Sequence, residues 1–87
     1  MSTDQTIETT VLGILSTVLD EPISDLQVRP VLATYDWDSL ASLEALAQLE
    51  NQLDVTLDLR RYHEARNVAD LVGLVTGALD AKATTSR

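Results

Sequence analysis

The chain has 87 residues, a formal net charge of −8 and no cysteine. That length supports one small domain with one modest core, and the lack of cysteine excludes disulfides, thiolate metal sites and cysteine nucleophiles. Residues 1–59 hold eleven acids against Arg29, whereas residues 60–87 hold five bases against Glu64, Asp70 and Asp80, a balance that repels nucleic acid and anionic membranes and attracts basic proteins.

Leu, Val and Ile together supply 26 residues, too many for a disordered chain. Only Tyr35, Trp37 and Tyr62 are aromatic, so the core is expected to be aliphatic. The first element is a helix from Asp4 to Leu19. Ile7, Val11, Ile14, Leu15 and Val18 recur at steps of three and four, one face of an amphipathic helix. Asp4 near its start complements the positive end of the helix dipole, and Pro22 is expected to stop it. No sustained period follows between Asp20 and Trp37. This stretch reads as a long connection with one short helical turn near 24–27, and Ile23, Leu26, Val28, Val31 and Leu32 are expected to anchor it. A connection of this length in a small domain is usually functional or packed by its own side chains.

The strongest helix is predicted over Ser39–Gln52, with Asp38 as its N-cap. Leu40, Leu43, Leu46, Leu49 and Leu53 read as one continuous apolar stripe. Val55–Leu57 is expected as an extended link and 59–65 as a short third helix. The last helix is predicted over Val68–Lys82, with Asn67 as cap, Asp70 in the first turn, and Val68, Leu71, Val72, Val75 and Leu79 buried. These elements predict an all-α bundle of three longer helices and one short one. It forms a single domain over 1–82, followed by a flexible tail at 83–87.

No apolar run is long enough to span a bilayer, and MSTDQTIETT has neither the basic nor the apolar region of a secretory signal. The cytoplasm is therefore the expected compartment. One histidine, no cysteine and no calcium-loop spacing leave no metal site. A serine nucleophile needs an oriented base, and His63, the only histidine, lies in the charged stretch 60–64, which reads as surface. The only lysine is Lys82, late in a predicted helix, which fits neither a biotinyl nor a lipoyl attachment on a β-turn.

What remains is Asp36-Trp37-Asp38-Ser39-Leu40, a loop delivering a serine to the start of an aliphatic helix. Asp38-Ser39-Leu40 in that context resembles the hallmark of the phosphopantetheine carrier family, the acyl and peptidyl carrier proteins. The segment Tyr62 to Leu71 also resembles the entry into the fourth helix of peptidyl and many modular acyl carriers, with Asn67 where threonine is usual, so the resemblance covers roughly residues 5–80. It implies that a phosphopantetheinyl transferase installs 4′-phosphopantetheine from coenzyme A on Ser39, using magnesium that Asp38 helps to hold. Acyl or aminoacyl groups would then ride on the arm as thioesters.

A phosphodiester on Ser39 would sit against the amides and the positive dipole end of the second helix. Asp36, Glu44 and Glu50 are expected to offer an acidic strip to basic docking surfaces on an acyltransferase, adenylating enzyme or ketosynthase, with Leu40 as an apolar contact. Asp36-Trp37 stand where many of these carriers have glycine, and Trp37 either pins the loop to the core or touches a partner beside the arm. Glu50-Asn51-Gln52 is less acidic than in fatty-acid carriers, against a housekeeping role. Five arginines to one lysine lean toward a high-GC bacterium. The expectation is therefore a monomeric, free-standing acyl carrier of polyketide or related biosynthesis, acting on no substrate itself. The alternatives are a peptidyl carrier of nonribosomal peptide synthesis and an acidic helical adaptor that carries nothing.

Overall fold

The first helix packs against three others and organises the molecule. The computed structural model describes residues 3–85, with side chains over 6–81. Among these residues the elements are α1 (Thr3–Leu19), α2 (Ile23–Val28), α3 (Ser39–Leu53), α4 (Leu59–Glu64) and α5 (Val68–Thr85), with a 3-10 turn at Leu32–Thr34. Among the described residues there is no strand beyond one isolated antiparallel bridge between Val31 and Asn67. The fold is the all-α bundle expected, with the turn foreseen near 24–27 widened into α2.

The helix ends are set by local chemistry. α1 stops one residue after Leu19, where Asp20 adopts φ 56°. The Glu21 amide reaches back to the Ser16 carbonyl at 3.1 Å, and the Ser16 hydroxyl donates to the Glu21 carbonyl at 2.6 Å. This is a left-handed cap that satisfies the last free carbonyls. Asp20 therefore makes the stop assigned above to Pro22, and the proline only follows it. α3 ends the same way, with Asp54 at φ 53° and the Val55 amide on the Glu50 carbonyl at 3.2 Å. α5 runs three residues past the expected end at Lys82, since Ala83–Thr85 contains no glycine or proline to break it; residues 86 and 87, and the Asp4 side chain, lie outside the described residues.

The core is aliphatic apart from Tyr62. It gathers Ile7, Val11, Leu12, Ile14 and Leu15 of α1 with Leu26, Leu32, Ala45, Leu49, Val55, Leu57, Val68, Leu71 and Val75. Val18, Val72 and Leu79 pack partly buried against it. Val55 and Leu57 are buried on the same side of the extended link, as alternation requires. Of the five residues expected to anchor the long connection, only Leu26 and Leu32 are buried; Ile23, Val28 and Val31 are exposed. The reason is that polar and backbone bonds hold this segment instead. The Tyr35 hydroxyl lies within hydrogen-bonding distance of the Arg29 carbonyl (2.6 Å) and the Asp25 carbonyl (3.0 Å). The Leu32 amide donates to the Arg66 carbonyl and the Val68 amide to the Pro30 carbonyl, both at 3.0 Å. With its backbone groups satisfied in this way, the segment needs few apolar anchors.

The leucines of α3 do not form one buried stripe. Leu49 is fully buried and Leu46 and Leu53 are half-buried, but Leu40 is 76% and Leu43 51% exposed. Each step of three residues falls about 60° short of a full turn at about 100° per residue. Leu40 and Leu49 consequently face opposite sides of the helix, and the buried line instead passes through Ser42, Ala45 and Leu49.

Candidate functional site

The approach to α3 is tightly bonded. The Trp37 amide donates to the Tyr35 carbonyl at 2.8 Å and the Asp38 amide to the Asp36 carbonyl at 3.0 Å, so the chain turns twice before the helix. Asp38 is extended (φ −95°, ψ −176°) and its Oδ1 accepts from the Ala41 amide at 2.8 Å, while its carbonyl takes the Ser42 amide at 2.9 Å. Short acceptor side chains favour this position because they satisfy donors that the helix itself cannot. Ser39 is the first residue of the helix and is exposed. No hydrogen bond within the described residues takes up the N–H of Ser39 or of Leu40.

A second segment closes one side of this helix start. Asp58 caps α4 by accepting from the Arg61 amide at 3.2 Å, which orients Tyr62 inward. Tyr62 is 1% exposed, and its hydroxyl donates to the Ser42 carbonyl at 2.5 Å. Burial pushes its phenol up to about 12, with a smaller opposing contribution from the Ser42 side chain. The Trp37 ring tilts against Tyr62 at 6.3 Å between centroids, and His63 meets the edge of Tyr62 at 5.9 Å. Trp37, Asp38, Ser39, Ser42 and His63 together line a shallow hollow of ≈ 200 Å³.

The expected site residues thus fall in three places. Asp38, Ser39 and Trp37 share the hollow, and Trp37 also packs on the core, half-buried. Leu40 and Glu44 are exposed on α3, together with Leu43 and Ala47, giving an outward face that is apolar around one acid. Asp36 is exposed just ahead of the helix. Glu50 is half-buried and its Oε2 accepts from the Leu57 amide at 2.9 Å, which gives its carboxylate a role in holding the link after α3.

Sequence reasoning missed two residues. Leu43 was placed in the core, although the 3.6-residue period, applied strictly, puts it closer to Leu40 than to Leu49. His63 was set aside as surface, and it is exposed, but the surface it occupies borders Ser39. The inward aromatic at Tyr62 was the only signal for that.

No group of three or more His, Asp or Glu side chains among the described residues could hold a metal ion, and no helix is long and apolar enough to cross a membrane.

In comparisons with known proteins, the family model for the phosphopantetheine attachment site matches residues 9–75, more than half of the chain. No curated protein matches it. Domains of this description are the attachment site of covalent 4′-phosphopantetheine and are in general carriers rather than catalysts. The residues present fit that group: Ser39 is exposed, two amides at the helix start are open to an anion, and a hollow lies beside them.

Proposed function

Because the chain belongs to the phosphopantetheine attachment-site family, we propose that it is an acyl carrier whose Ser39 bears the arm. The observation that carries this reading is the placement of Ser39 as the exposed first residue of a helix capped by its neighbour Asp38. In that position the hydroxyl is open to a transferase, and the phosphodiester that replaces it gains from the helix dipole and the free amides. The bound arm supplies a thiol, which this chain lacks, for holding acyl groups as thioesters. Asp38 holds the helix start in shape and stands beside Ser39 as a carboxylate for magnesium during transfer.

Leu40, Leu43 and Glu44 offer partner enzymes an apolar patch with one negative charge, and Asp36 adds a second beside Ser39. Basic residues on a transferase, acyltransferase or ketosynthase would be drawn to them, raising the encounter rate and fixing orientation. The exposed acids Asp36 and Glu44 lean toward acyl cargo, whereas the Tyr62–Leu71 entry into the last helix leans toward peptidyl cargo. Incubation with a phosphopantetheinyl transferase, coenzyme A and magnesium tests the central point. Intact mass is expected to rise by one phosphopantetheinyl group in the wild-type protein and not in Ser39→Ala. No gain with several transferases would return the chain to the adaptor reading.

A further inference from the structure

The hollow beside Ser39 contains one side chain with no part in capping or packing the helix start. His63 comes from α4, distant in sequence from Ser39, and is exposed. No hydrogen bond to its ring is formed within the described residues, and the ring meets the edge of Tyr62 at 5.9 Å between centroids. Yet its place is well determined. Tyr62, immediately before it, is locked by burial, by the bond to the Ser42 carbonyl and by the Trp37 ring.

We infer that His63 is a positioning residue for the arm, donating an imidazole N–H to a non-bridging oxygen of the phosphodiester on Ser39. This rests on the carrier reading above. Imidazole is suited to this role, as a donor that can also carry positive charge near neutrality, and a hydrogen bond to an anionic oxygen is stronger than one between neutral groups. The carboxylate lining the hollow is that of Asp38, and its Oδ1 is committed to the Ala41 amide. Arg60, Arg61 and Glu64 lie on the same short helix and are exposed, but none of them lines the hollow. Trp37 and Ser42 also bring donors to the hollow, but Trp37 packs on the core and Ser42 is buried, which leaves the exposed His63 to meet the phosphodiester together with the open amides of Ser39 and Leu40. Held by both, the root of the arm leaves the surface in a preferred direction.

The test uses the intact protein loaded with the arm, at one fixed pH near neutrality. Nuclear Overhauser contacts are expected between the His63 imidazole protons and the methylene protons next to the phosphorus. The phosphorus resonance of the arm is expected to move in His63→Ala and to return toward its wild-type position in His63→Lys, which restores an N–H donor. Loading with no such contacts, and with the same phosphorus resonance in wild type and His63→Ala, overturns the inference and leaves the carrier reading standing. Failure to load at all, read independently by mass, overturns both. Because His63 is exposed, its substitutions are expected to leave the fold intact, which circular dichroism of each variant checks.

Discussion

The Tyr62 hydroxyl donates to the Ser42 carbonyl at 2.5 Å, joining α4 to the first turn of α3. This bond holds the short helix against the helix start that bears Ser39, and its effects on stability can be measured.

Removing the donor takes one bond from the Ser42 carbonyl, which lies inside α3 and keeps the helical bond from the Leu46 amide. Tyr62→Phe keeps the ring in place, and is expected to lower unfolding free energy by about 0.5–1.5 kcal/mol, the net contribution of one hydrogen bond. Urea unfolding followed by circular dichroism reads this directly. A loss below a few tenths of a kcal/mol would show that the bond does not hold α4.

The same phenol makes stability depend on alkaline pH. Burial pushes Tyr62 up to about 12 from the ordinary value of 10.0. The folded protein keeps this proton longer than the unfolded chain does. The contribution is thus fully present below about 10 and is lost as pH rises from there through about 12. Stability measured along that range should fall in wild type and fall less in Tyr62→Phe. In Tyr35→Phe, where only Tyr62 contributes, tyrosinate absorbance should appear only near the upper end.

Two leucines of α3 should behave oppositely. Leu40 is 76% exposed and Leu49 is fully buried. Leu49→Ala is expected to cost about 2–5 kcal/mol, whereas Leu40→Ala should change stability by about 0.5 kcal/mol or less. The second variant should instead weaken partner interaction, seen as a raised KM for the carrier in the transferase reaction with kcat little changed.

Asp38 links structure to loading. Asp38→Ala removes the bond to the Ala41 amide and is expected to cost about 0.5–2 kcal/mol. Transfer of the arm to Ser39 should slow as well. Asp38→Asn retains an acceptor for the amide, so it should recover most of the stability. If the charge itself serves transfer, the same variant will load as slowly as Asp38→Ala.

The order of the longer helices, the caps Asp38 and Asn67 and the candidate serine were legible in the sequence because each is written over a few neighbouring residues, whereas the Asp58 cap of α4 was not foreseen. Asp38 and Asn67 cap through amides three residues ahead, and Asp70 reaches back to the Arg66 amide at 2.9 Å. The stop of α1 was misassigned to Pro22, since left-handed geometry at an aspartate leaves a weaker signature than a proline. The anchors Ile23, Val28 and Val31 were misjudged because hydropathy does not reveal that the Tyr35 hydroxyl and the Leu32 and Val68 amides would hold the loop.

The sequence by itself determined an aliphatic all-α domain with a capped helix beginning at Ser39, because capping and helical period act through bonds spanning three or four residues. Only the tertiary structure decided which leucines of α3 face outward, because a run spaced by threes winds around the helix and packing selects the buried side. It also decided that His63 stands beside Ser39. That neighbourhood depends on the bond between Tyr62 and Ser42, twenty residues apart, and no local pattern encodes it.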